Sequence, residues 1–134
     1  MSEENVEIIR RLVDAFNDGG MGAEATLSFF DPGAVFEEPP EQPGPIVAEG
    51  RDEVSRVFLK FDKAWEEHRS DPEEVCAIDD ERVLLLSVDH FRGRDGIEVT
   101  QPSGTLFTLR DGKVVRMQGF WERANALKAA GLSE

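Results

Sequence analysis

Two acidic segments hold the residues best suited to chemistry. The first is Glu37-Glu38-Pro39, which ends the short apolar run Ala34-Val35-Phe36. Adjacent residues on a strand point to opposite faces, so only one of the two glutamates looks inward. The second is the run from Val83 to Phe91, whose alternation sorts it into two stripes. Val83, Leu85, Ser87, Asp89 and Phe91 share one face; Leu84, Leu86, Val88 and His90 share the other. A carboxyl group in an apolar pocket holds its proton more tightly, which suits acid–base work near neutral pH. Two carboxyls in one such pocket tend to separate in pKa, one protonated and one ionised. Plain structural roles compete with these readings. Glu38 would then sit at a solvated mouth beside a proline loop, and Asp89 would pair with Arg92 or Arg94 at a strand end.

Other chemistries lack their residues. His68 and His90 lie on different elements in no metal-ligand spacing, and there is no Cys-x-x-Cys. Neighbours Asp89 and His90 point to opposite faces of one strand. No metal is expected. No Gly-rich phosphate loop is present either, and no cofactor is expected. Cys76 stands alone, so no intrachain disulfide forms, in keeping with a reducing compartment. It reads as a buried strand residue, and His90 as a residue of the outer sheet face.

The elements that must position these residues follow from pattern. The 134 residues are one domain's worth of length, and the reading is a single domain over 1–134. Val6, Ile9, Val13 and Phe16 form one helical stripe over residues 3–18, closed by Gly19-Gly20. A second helix is expected over about 22–30, then a turn at Asp31-Pro32-Gly33 and a strand over 34–38. Pro39, Pro40, Pro43 and Pro45 impose a stiff loop. Val54, Val57, Phe58, Phe61 and Trp65 mark a helix over 51–67. Strands are expected over about 72–79, 82–92, 97–110 and 113–123, with a hairpin turn at Asp111-Gly112, and a tail helix over about 123–130. Helices first and a strand meander second give an α+β domain, with helices on one face of the sheet. Gly104 and Gly119 within the last two strands suit bends or close backbone approach.

Charge removes some partners. There are 15 Lys plus Arg against 28 Asp plus Glu, a net charge of −13. Such a chain repels nucleic acid and anionic membranes, so neither is expected as a partner. No apolar run reaches the roughly 20 residues of a membrane span. The acidic start Met1-Ser2-Glu3-Glu4-Asn5 is unlike a signal peptide. A cytoplasmic location is expected.

The order of parts resembles a known group. Arg11-Leu-Val-Asp-Ala-Phe-Asn17, Ala34-Val-Phe-Glu-Glu-Pro39, Glu49-Gly-Arg-Asp-Glu-Val54 and Phe107-Thr-Leu-Arg-Asp-Gly-Lys-Val-Val-Arg116 are similar to the SnoaL-like polyketide cyclase and ketosteroid isomerase group of the nuclear-transport-factor-2-like superfamily. The resemblance covers about residues 3–125. It implies a cone, with N-terminal helices packed on a strongly curved mixed or antiparallel sheet that encloses a pocket for a small apolar molecule. It also implies a homodimer through the sheet.

Residue by residue, the resemblance implies that Glu38 faces inward and Glu37 outward, with Glu38 where isomerases of the group carry the proton-shuttling Asp. It places Asp89 on the pocket wall as the second catalytic candidate. Phe16, Ser87, Gln101, Ser103, Thr105, Phe107, Met117 and Trp121 would line the pocket, with Trp65 on the covering helix. The implied activity is an isomerisation, cyclisation or dehydration; the alternative is a binding or dimerisation module without catalysis. The isomerase oxyanion donors, a Tyr and a protonated Asp, correspond to Phe16 and Thr105, and the chain has no Tyr. Losing one such donor costs about 10²–10³ in rate. Ser87-Val88-Asp89-His90 also resembles a strand of limonene-type epoxide hydrolases, but Ser87 and Gly119 stand where those enzymes carry an Arg and a second Asp.

Overall fold

The computed structural model describes residues 2–132. Helix α1 (Ser2–Gly19) buries Ile9, Leu12 and Val13 on the stripe its sequence spells. Helix α2 (Glu24–Leu27) is a single turn rather than the expected nine residues. Strand β1 (Phe30–Glu37) begins four residues earlier than its apolar run and passes through Asp31-Pro32-Gly33. The expected turn is there as an irregularity in that strand: the Gly33 N–H donates to Asp31 Oδ2 at 2.9 Å, and the register with the neighbouring strand shifts between Phe30 and Val35.

The proline segment returns as a short strand, β2 (Val47–Glu49), antiparallel to β1. Pattern alone gives no sign of it. Helix α3 (Arg51–Ala64) stops short of Trp65, which is already extended. The Glu66 N–H donates to the Arg92 carbonyl at 2.8 Å, so the chain joins the sheet at once. Strand β3 (Glu67–Ala77) therefore starts five residues before the expected position. Its inward residues there are His68 and Ser70, so apolar alternation is missing.

Strands β4 (Arg82–Arg92), β5 (Glu98–Arg110) and β6 (Lys113–Phe120) and helix α4 (Arg123–Ala129) complete the chain. The β5–β6 hairpin turns on Asp111 (φ 53°) and Gly112 (φ 77°), the two positive angles that a tight hairpin requires.

The six strands run in the order β2-β1-β6-β5-β4-β3. β1 and β6 are parallel and every other pair is antiparallel, so the sheet is mixed. It is open and curved around α1 and α3. Residues Ile9, Val13, Phe58, Val83, Leu85 and Phe107 fill the concave side. Phe58 lies edge-on to Phe30 and Phe36, with ring centres 5.6 and 5.2 Å away.

The alternate strand residues build a second cluster on the other face: Leu84, Leu106 and Phe120 are covered by Ala126 and Ala130 of α4. The helices are thus not all on one side. Gly104 makes that packing possible, because a Cβ there would stand 2.5 Å from the Ala126 Cβ. Its role is close approach. No helix among the described residues is long and apolar enough to cross a membrane.

Candidate functional site

A cavity of about 570 Å³ opens between α1, α3 and the concave face of the sheet. β4 and β5 pair without interruption from Arg82↔Thr108 to Arg92↔Glu98. That register sets Ser87 opposite Ser103 and Asp89 opposite Gln101. Strand alternation then turns Leu85, Ser87, Asp89 and Phe91 to the cavity, and Leu84 and Leu86 to the outer cluster.

Asp89 is half-buried and held by hydroxyls. Ser103 Oγ donates to Asp89 Oδ2 at 2.5 Å and Ser87 Oγ donates to Oδ1 at 3.1 Å, with the two hydroxyl oxygens 3.3 Å apart. Neither expected arginine reaches it. Arg92 pairs with Glu67 at 2.9 Å and Glu66 at 3.5 Å, while Arg94 Nη2 donates to the Lys63 carbonyl at 2.7 Å. Asp89 thus keeps its charge-bearing oxygens on the cavity side.

Glu38 is on the same wall, beyond the end of β1. Its Oε1 accepts from Gln42 Nε2 at 2.5 Å and from the Ile46 N–H at 3.0 Å. It organises the proline loop as well as facing the cavity. Glu37 faces out, where Arg116 Nε donates to its Oε2 at 2.7 Å.

The remaining candidates also lie on this wall: Phe16 from α1, Gln101, Ser103, Thr105 and Phe107 from β5, and Met117 from β6. Phe107 is fully buried and belongs to the core at the same time. Trp65 reaches the cavity from the extended link after α3 rather than from the helix, its ring tilted against Phe91 at 5.0 Å. Trp121 is at the rim, 42% exposed. Its backbone N–H donates to Glu41 Oε1 at 3.0 Å, and Asn125 Nδ2 donates to Oε2 at 2.8 Å. Burial pushes the Glu41 carboxyl up, but Asn125 and the backbone N–H groups of Trp121 and Glu122 outweigh it and hold the carboxyl below its ordinary range.

Several neighbours escaped the sequence reading. Ser70, buried on the wall, exchanges a reciprocal pair with Asn17 of α1: each contact is 2.8 Å. His68, beside it on β3, is packed between Phe16 and Phe61 at 4.6 and 4.9 Å. Its Nε2 lies 2.9 Å from Asp62 Oδ1, and its buried Nδ1 has no hydrogen-bond partner. Asp62 also accepts from the Met21 and Gly22 N–H groups, at 2.9 and 2.8 Å. The only available signal was polar residues at every second position, which reads as loop.

His90 is on the outer face as expected, with Nε2 3.0 Å from Asp71 Oδ2 and Nδ1 3.3 Å from Thr100 Oγ1. Cys76 is half-buried rather than buried, and burial, with Glu74 nearby, pushes its thiol pKa up. That makes it a poor nucleophile. Among the described residues no three of His, Cys, Asp and Glu come together as a metal site.

Solved structures share this architecture. TerC, crystallised with polyporic acid, superposes with a TM-score of 0.76 at 20% identity, over 96% of this chain and 98% of that one. An NTF2-like protein of unknown function from Burkholderia pseudomallei gives 0.77 at 20%, over 96% and 97%. A protein of ketosteroid isomerase-like fold from Catenulispora acidiphila, in complex with trimethylamine, gives 0.74 at 16%, over 94% and 93%. At such identities the likeness speaks for the fold alone. No curated protein matches the chain significantly in sequence. The model of the SnoaL-like domain, however, matches residues 9–117. That span carries α1 from Ile9 onward, α3, both cavity carboxylates and the β4–β5 ladder that aims Asp89, and on this match the chain belongs to the SnoaL-like domain family.

Proposed function

We propose that the cavity binds a small, largely apolar molecule, and that Asp89, with Glu38 as second carboxylate, exchanges a proton with it in an isomerisation, cyclisation or dehydration. One observation carries this reading. Asp89 is turned into a cavity walled mainly by aliphatic and aromatic side chains, with two seryl hydroxyls fixing it and no basic side chain paired to it. Small-molecule sites combine such walls with a few placed polar groups. The cavity's volume of about 570 Å³ lies within the range of small-molecule sites. Proteins of the same fold crystallised with polyporic acid and with trimethylamine add general support for a small-molecule ligand.

A panel of small apolar ketones, polyketide fragments and epoxides, screened by native mass spectrometry and thermal shift, tests the proposal. The expected result is a saturable ligand that the wild type converts and that Asp89→Asn binds but leaves unchanged, with Glu38→Gln slowed. Equal turnover by wild type and Asp89→Asn would overturn the catalytic role.

A second reading is a binding module without turnover. Phe16 and Thr105 favour it, since the cavity holds a phenyl ring and a hydroxyl where the resembled isomerases place their oxyanion donors. Binding that survives both substitutions with no conversion would select it. Pairing of two copies through the sheet belongs to the same proposal.

A further inference from the structure

The half-buried Asp89 carboxylate has only neutral hydrogen-bond partners. Its two oxygens accept from Ser103 Oγ at 2.5 Å and Ser87 Oγ at 3.1 Å, and no ion pair reaches it among the described residues. Two cations touch the cavity wall, and neither supplies the missing charge. Arg69 is spent on Asp71, Nε to Oδ1 at 2.6 Å, and Lys60, an exposed residue of α3, makes no ion pair with Asp89. A ligand that fills the cavity displaces the water beside Asp89. Removing water from a carboxylate is costly unless a positive charge replaces it.

The surroundings suit one kind of positive charge. Phe91 is two residues along the same strand face, about 7 Å from Asp89. Its ring meets Trp65 at 5.0 Å and Phe61 at 5.7 Å. Phe91, Trp65 and Phe61 thus form one aromatic cluster lining the same cavity as the unpaired carboxylate. Ring faces attract an organic cation within about 6 Å, and a carboxylate accepts a charge-assisted hydrogen bond from an ammonium N–H. The net charge of −13 draws cations towards the mouth and repels anions.

We infer that the ligand of this cavity is an organic amine in its ammonium form, its nitrogen between Asp89 and the Phe91–Trp65–Phe61 cluster and its apolar body along the wall. This rests on the reading of the cavity as a ligand site, and it names the class of molecule that the site takes. Ser87 and Ser103 hold the carboxylate in place before the ligand arrives.

Isothermal titration of the full chain with three probes of similar size tests it: 2-phenylethylammonium, 2-phenylethanol and 3-phenylpropionate. The ammonium is expected to bind about 10-fold or more tighter than the alcohol, and the carboxylate weakest. Asp89→Asn is expected to bring the ammonium-to-alcohol ratio close to one, and Trp65→Leu to lower it by about 3-fold. Circular dichroism confirms that each variant is folded. Alcohol or carboxylate binding as tight as the ammonium would overturn the amine class and leave the cavity reading standing. Saturable binding by none of the three would overturn both. An ammonium preference that persists in Asp89→Asn would also overturn the inference, because the selectivity would then lie elsewhere.

Discussion

Ser87 is 2% exposed, and its hydroxyl serves Asp89 and Ser103 together. Removing that hydroxyl leaves a carboxylate with one donor in a half-buried place. Ser87→Ala is expected to cost about 1 kcal/mol in urea unfolding and to weaken any ligand held by Asp89. A neutral effect on both would mean that water replaces the hydroxyl fully. Asp71, on the outer face, behaves differently. Hydrogen bonding from Arg69, aided by the Arg69 and His90 charges, holds its carboxyl below the ordinary range against a small cost of burial. A depressed folded pKa stabilises the fold above the unfolded value, and that contribution is lost as pH falls through the folded one. Arg69→Ala should therefore lower the Tm slightly near neutral pH, with the difference closing as Asp71 protonates in acid. A difference that stays constant down to pH 2 would assign the loss to packing. At this scale the sequence was informative where period-2 alternation rules. Leu85, Ser87, Asp89 and Phe91 share a face because β4 is regular. It was silent on Gln42 and Ile46, whose hold on Glu38 depends on how the proline loop folds back.

That loop acts as an element through Glu41. Its carboxylate receives the Trp121 and Glu122 N–H groups and the Asn125 side chain, so one residue joins the proline segment to the start of α4. Glu41→Ala should cost about 1 kcal/mol at neutral pH. Because the folded carboxyl sits below its ordinary range, the cost should shrink as pH falls through it. Faster amide exchange at Trp121 and Glu122 in the variant would locate the loss. Unchanged exchange there would show that the helix start is held by other contacts. The same scale shows where pattern reading ends. Helix α3 was legible from Val54, Val57 and Phe58, but its stop was not, since Trp65 continues the stripe while its backbone is already extended and its ring packs on Phe91. The first residues of β3 hid behind a polar pattern for a physical reason. His68 and Ser70 face α1 and α3 and are held by Asp62 and Asn17, so burial there is built on hydrogen bonds that no hydrophobic period reports.

Across the whole molecule, the outer face of the sheet is divided. Leu84, Leu106 and Phe120 form its apolar part, and the chain's own α4 covers them. What remains open is a polar strip around His90, with Asp71 and Thr100 bound to it. A homodimer built through the sheet must meet on that strip, and each copy brings a net charge of −13. Like charges at this level oppose association and are screened by salt. Dimerisation is therefore expected to be weak in low salt and to strengthen as salt is added, the reverse of an interface held by ion pairs. His90→Asp sets a second carboxylate beside Asp71 on each copy and should weaken the dimer by about tenfold or more. Sedimentation velocity at high micromolar concentration reads both effects. A wild type that stays monomeric at every salt concentration, or a dimer indifferent to His90→Asp, would remove the sheet as the interface. In either case the cavity, which opens on the opposite face, would keep its proposed role in a single copy.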